Sequence, residues 1–260
     1  MPLGTQTSQP PDAAPRNIRF VLVRPSHPGN IGAAARAIRT MGFMRLHLVA
    51  PHRYPHADAT ALAAGAEDVL ANIVVTDTLI EAIADCTLVL GCTARQRKVA
   101  LEELAPRAAA ARALDADGGE VAIVFGNERT GLENDELMSC HAAVHIPSAE
   151  DFPSLNLAQA VQVLAYELRI GCLERAPAQA GQGKAEPLAT NSELEHFFTH
   201  LTQTLDDIDF HKGRSPVTIM KRLRRMFLRN HLEQREVRIL RGIFEDAQRM
   251  ARIAKGKADG

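Results

Sequence analysis

Three short segments of this chain each join a polar loop to an apolar run, with side chains suited to gripping anions and orienting hydroxyl groups. They are His27 to Arg36 (HPGNIGAAAR), Phe125 to Leu132 (FGNERTGL), and Ile146-Pro147 running on to Ser154-Leu155-Asn156-Leu157. In the first, Pro28, Gly29 and Asn30 turn into a helix of small residues. Gly29 and Gly32 permit close backbone approach, and the helix start offers free N–H groups to an anion. The spacing is not G-x-G-x-x-G and no G-K-[ST] follows, which argues against a Rossmann or P-loop nucleotide site. Arg36 reads equally as a solvated helix residue and as a guanidinium for an anion. In the second segment two glycines flank Glu128, whose carboxylate serves either the loop amides or chemistry. In the third, Ser154 and Asn156 are preferred helix N-caps, a role that still lets a hydroxyl face a ligand. The ten histidines are scattered and the four cysteines form no C-x-x-C pair, so no metal set is expected.

Positioning such loops requires strands that end beneath them. Short apolar runs occur at Ile18 to Val23, Leu46 to Val49, Leu88 to Leu90, Val121 to Phe125 and Val144 to Ile146, as strands buried on both faces would show. Helical patterns lie between them, at Ile31 to Met41, Ala59 to Leu70, Leu79 to Ala84 and Pro106 to Leu114. This alternation predicts an α/β fold: a parallel sheet with helices on both faces. The longest amphipathic signal begins near Ser154, with Leu157, Val161, Leu164, Leu168 and Cys172 on one face.

The expected organisation is a disordered tail over 1–16, a catalytic domain over 17–175, a flexible linker over 176–190 and a helical extension over 191–255. The extension should start near Asn191-Ser192 and break at Gly213 to Pro216. A net charge of -1 hides a basic block from Lys212 to Arg241 that includes Lys221, Arg222, Arg224, Arg225 and Arg229, against only Glu233 and Glu236. At helical spacing Lys221, Arg225 and Arg229 share a face, which points to contact with a polyanion. No apolar stretch approaches the roughly 20 residues of a membrane-spanning helix, and the N-terminus lacks the pattern of a secretion signal. Unpaired cysteines in apolar runs suit a reducing, cytoplasmic setting.

Taken together, Asn30/Arg36, Gly126/Glu128/Gly131 and Ser154/Leu155/Asn156 resemble the three signature motifs of the SpoU branch of the SPOUT RNA methyltransferases, over about Asn17 to Arg175. The stretches RPSHPGNIGAAARAIRTMGF, GCTARQR (Gly91 to Arg97) and MKRLRRMF (Met220 to Phe227) are similar to the TrmJ type of tRNA 2′-O-methyltransferase. The resemblance implies a C-terminal trefoil knot, S-adenosylmethionine as methyl donor, a tRNA ribose 2′-hydroxyl as acceptor (cytidine or uridine 32 of the anticodon loop), and a homodimer. It implies catalytic roles for Asn30, Arg36, Glu128, Ser154 and Asn156. Cofactor contacts would come from Cys92, Thr93, Ala94, Gly126, Ile146, Pro153, Ser154 and Leu155, and RNA contacts from Lys221, Arg222, Arg224, Arg225 and Arg229. Arg36 suits a phosphate clamp better than a base, because a guanidinium does not deprotonate in proteins. A non-catalytic RNA-binding relative and a ribosomal-RNA methyltransferase of the same fold are the alternatives.

Overall fold

The computed structural model describes residues 15–94, 101–116, 118–149, 151–152, 154–175, 187–213 and 215–258. Most of the expected tail, most of the expected linker, Pro153 and Arg95 to Arg97 lie outside the described residues. The first unit contains β1 (Ile18–Val23), α1 (Pro28–Thr40), β2 (Leu46–Val49), α2 (Ala57–Ala63), α3 (Glu67–Ala71), β3 (Val74–Thr76), α4 (Leu79–Ile83) and β4 (Cys86–Cys92). It continues with β5 (Glu103–Leu104), α5 (Pro106–Leu114), β6 (Glu120–Phe125), α6 (Asn134–Met138), β7 (Ala142–Val144) and α7 (Leu157–Glu174). The second unit is α8 (Asn191–Asp207), α9 (Pro216–Arg229) and α10 (Gln234–Ala258).

The strands form one sheet in the order β3-β2-β1-β6-β4-β7-β5, with parallel pairing throughout. Burial of both faces explains the largely apolar sequences of the central strands. Ile18, Phe20 and Leu22 of β1 join Val121, Ile123 and Phe125 of β6 in a core under α1, α2, α5 and α7. Val21, Val23, Ala122 and Val124 point the other way, into a smaller core with Leu79, Ile83 and Leu137. Both faces are therefore covered, as the sequence pattern required.

Several boundaries differ from expectation for local reasons. The helix expected over Ala59 to Leu70 is two helices, because Ala64 and Gly65 take φ of 40° and 92° and turn the chain. The strand expected at Val144 to Ile146 lies at Ala142 to Val144, so Ile146 belongs to the loop beyond it. The long helix starts at Leu157, where Asn156 caps it and exchanges a capping box with Gln159. Its apolar stripe is consumed within the chain: Leu157, Val161, Leu164 and Leu168 are buried among core residues. Thr190, rather than Asn191, caps α8, leaving Asn191 fully buried as the first helical residue.

The helices of the second unit surround their own core, built on Phe197, Phe198, Leu201 and Leu228. It rests on the first unit through the Ser192 amide, which donates to the Ala84 carbonyl (2.8 Å). A second seat lies at His231, between α9 and α10, whose ring stacks on His141 (centroids 6.1 Å apart, planes 2° apart). Arg112 of α5 donates to His231 Nε2 at 2.6 Å and pairs with Glu102 at 2.7 Å.

Candidate active site

The C-terminal ends of three neighbouring strands, β4, β6 and β7, converge on one cavity, the usual place for a ligand in a parallel sheet. Its walls include Cys92 at the end of β4 with Thr93 and Ala94 after it, Gly126 to Gly131 after β6, Ile146 after β7, and Ser154, Leu155 and Leu157 at the start of α7. Seven of the eight residues expected to hold a cofactor thus line a single space, and the eighth, Pro153, lies outside the described residues. Gly126 is obligatory there: a Cβ would lie 2.1 Å from the Gly131 carbonyl carbon and the Leu132 nitrogen. Gly131 adopts φ 67°, the left-handed region that glycine enters without strain.

The three motifs are joined by a run of hydrogen bonds. Asn30 Nδ2 donates to Glu128 Oε1 (2.9 Å), and Asn156 Nδ2 donates to Asn30 Oδ1 (3.1 Å). The amides of Ser26 and His27 also donate to the Glu128 carboxylate, at 2.9 and 3.3 Å. The anion at the start of α1 is therefore the chain's own Glu128. Gly32 serves packing, since a Cβ there would strike the Ala59 carbonyl oxygen of α2 at 2.0 Å. Burial alone would raise the pKa of Glu128, but the bonds from Asn30 and the Ser26 amide outweigh it and hold the carboxyl below its usual range. With its oxygens engaged and its proton affinity depressed, Glu128 is a poor base and a firm anchor.

Asn127, which sequence reasoning passed over, closes the loop. Its Nδ2 donates to the Arg24 carbonyl and to Ser26 Oγ, both at 2.7 Å, while its Oδ1 accepts from the Arg129 amide at 2.9 Å. Arg24 pairs with Glu133 (3.2 Å) and Glu136, tying the end of β1 to the start of α6. The only signal for these partners was their position inside or beside the motifs.

Arg36 does not line the cavity. It stands exposed on α1 in an adjoining groove with Thr40, Leu62, Gln159 and Gln162, and Asn156 forms part of that groove's wall. Asn156 thus caps α7, orients Asn30 and borders the space in front of Arg36. Ser154 is exposed at the cavity rim. On α9, Lys221, Arg222, Arg225 and Arg229 are exposed. Arg224 differs from the expectation for it: its guanidinium pairs with Glu195 of α8 and lies 4.4 Å from the centre of the Phe198 ring. Its charge is spent within the unit.

The cavity has both apolar and polar walls. Ile146, Leu155 and Leu157 give apolar walls, and the backbones after β4 and β6 supply donors and acceptors. Among the described residues no group of His, Cys, Asp or Glu gathers to hold a metal, and no helix is long and apolar enough to cross a membrane.

Comparison with known proteins matches residues 17–166 to the SpoU rRNA Methylase family and residues 192–256 to the C-terminal domain of the tRNA methyltransferase TrmJ. The tRNA (cytidine/uridine-2′-O-)-methyltransferase TrmJ of Yersinia enterocolitica is 45% identical over 94% of this chain and 96% of its own length. The tRNA (cytidine/uridine/adenosine-2′-O-)-methyltransferase TrmJ of Pseudomonas aeruginosa is 47% identical over 90% of this chain and 95% of its own. The crystal structure of TrmJ from Z. mobilis ZM4 superposes with a TM-score of 0.76 at 36% identity, covering 88% of this chain and 97% of that one.

Proposed function

The chain belongs to the SpoU methylase family, in its TrmJ group, and from that membership we propose that it methylates the ribose 2′-hydroxyl of a nucleotide in tRNA. The observation that carries this reading is the convergence of all three motifs on one site, with Asn30 bonded to both Glu128 and Asn156 beside the strand-end cavity. S-adenosylmethionine is the cofactor we assign to that cavity. Backbone at 92–94 and 126–131 would hold its polar edges and Ile146 and Leu155 its apolar face. When bound, it supplies an electrophilic methyl group on sulfur.

The chain's own residues then have separable tasks. Arg36 clamps a phosphate next to the target ribose, so that the hydroxyl lies in one orientation; positioning of this kind contributes on the order of 7–11 kcal/mol. As a guanidinium it remains protonated and offers a fork of donors rather than a base. Asn30 and Asn156 hold the wall between the two spaces, and Glu128 holds Asn30. Ser154 sets a hydroxyl at the rim, where RNA enters. The exposed cations Lys221, Arg222, Arg225 and Arg229 hold tRNA backbone from α9.

The target we assign is cytidine or uridine 32 of the anticodon loop. We also propose a trefoil knot and a homodimer. The knot is supported by β7 lying between β4 and β5, both of which precede it in the chain. The dimer is supported by the half-exposed Leu62 and Tyr166, on α2 and α7, which a single chain leaves in water. Transfer of tritium from methyl-labelled cofactor to tRNA, followed by mapping of the labelled nucleotide, tests activity and position together. Label entering ribosomal RNA instead would move the substrate, and no transfer to any RNA would leave a binding protein.

A further inference from the structure

Within the three motif segments there are two arginines, Arg36 and Arg129, and the family reading gives work only to the first. We propose that Arg129 is a second phosphate contact: it grips the backbone of the bound RNA from the cofactor side of the target ribose. The proposal rests on the methyltransferase reading above and adds to it a residue that sets how the acceptor lies over the cavity.

Arg129 is exposed and borders the strand-end cavity. Its backbone is fixed from several directions. Its amide donates to Asn127 Oδ1 (2.9 Å), Gly131 donates to the Asn127 carbonyl (2.8 Å), and Asn127 is itself bonded to Arg24 and Ser26 across the loop. Its guanidinium, in contrast, makes no hydrogen bond or ion pair among the described residues. The nearest acid in sequence, Glu128, is turned away and occupied by Ser26, His27 and Asn30. The other arginine of this region, Arg24, is neutralised by Glu133 and Glu136. A cation held on a rigid loop and left without an internal partner loses little freedom when an anion arrives.

Two anions could reach it, a phosphodiester of RNA or the carboxylate of the cofactor's methionyl group. Its place on the rim favours RNA. Each ribose 2′-hydroxyl is adjacent to a phosphodiester on the neighbouring 3′-oxygen, so an acceptor brought to the cavity mouth delivers a phosphate to the rim whatever its base. Arg36 and Arg129 then hold the backbone from the α1 side and from the β6 side of the wall formed by Asn30 and Asn156.

The test compares wild type with Arg129→Gln and Arg129→Lys in the full-length protein. Calorimetry with S-adenosylhomocysteine reads the cofactor site, filter binding of tRNA across a salt series reads phosphate contacts, and steady-state kinetics reads kcat and KM. Arg129→Gln is expected to bind S-adenosylhomocysteine as wild type does, to raise KM for tRNA about tenfold, and to lower the log–log salt slope by about 0.7. Arg129→Lys should restore the slope, having the charge, and only part of the KM, lacking the fork. Weaker S-adenosylhomocysteine binding with an unchanged tRNA slope would assign Arg129 to the cofactor carboxylate and overturn the proposal. So would no change in either. Failure of the methyltransferase reading would show separately, as absence of transfer by the wild-type protein.

Discussion

Arg36 stands on the exposed side of α1 and no side chain among the described residues neutralises it, so its removal takes away charge without taking away packing. Arg36→Ala should therefore keep its melting temperature, within about 0.5 kcal/mol of wild-type stability, and bind cofactor normally while methyl transfer disappears. Turnover above a tenth of wild type would remove Arg36 from the mechanism. Glu128 behaves in the opposite way. Glu128→Gln turns an amide donor toward groups that are already donors, and should destabilise the fold by about 1–3 kcal/mol, read as a shift in urea midpoint. The sign of its pH effect follows from the depressed pKa: the contribution is present above the unfolded value near 4.3 and is lost as pH falls through the lower folded value. The types of these residues were legible in the sequence. The assignments were not, because Glu128 and Asn156 could each serve backbone or ligand, and only their common partner, Asn30, shows what they do together.

Among the elements, β1, β2 and α5 occur where periodicity places them. The elements that escaped, β3, β5 and α6, are two to five residues long, too short for any period to register. One of the contacts between the units was equally hidden, since it depends on His231, a residue with φ 45° in a break between helices that the sequence did not announce. Arg112 can only donate, so His231 must accept through Nε2 and be neutral when seated. Burial, then the Arg112 charge, lowers its pKa, with Glu102 opposing. His141 is lowered further, to about 3, by burial and then by His231 and Arg112. For both, the unfolded chain binds the proton more readily, so stability is complete above about 6.5 and declines as pH falls below it. His231→Asn, which tolerates the left-handed backbone, should flatten part of the drop in melting temperature between pH 7.5 and 5.5. A full drop in that variant would leave the effect to His141 and other groups.

For the whole molecule, sequence patterning indicated a parallel α/β sheet with helices, but it held no information on strand order. The α7 stripe of Leu157, Val161, Leu164 and Leu168 is covered by the chain's own core. The half-exposed Leu62 and Tyr166 put the proposed dimer contact on the outer faces of α2 and α7. Tyr166→Asp should give a monomer by sedimentation, and an unchanged dimer would direct the search to another face. The second unit has its own core and a basic outer surface on α9. A chain ending at Arg175 should keep cofactor affinity and lose much of its tRNA affinity and salt dependence. The charge of Arg224 is already spent on Glu195, so Arg224→Ala should change stability more than it changes the salt slope.

The insertion of β7 between β4 and β5 also orders events in time. As the chain leaves the ribosome, β4 and β5 emerge before their shared neighbour exists, each with an unsatisfied edge of backbone amides and carbonyls. That gap closes only when Ala142 to Val144 arrive, and the same arrival brings Ile146, Ser154 and Leu155 to complete the cavity. A nascent chain, or one that stops before Leu155, therefore has an unfinished cavity. Such fragments are exposed to aggregation and to degradation, but they cannot act on RNA.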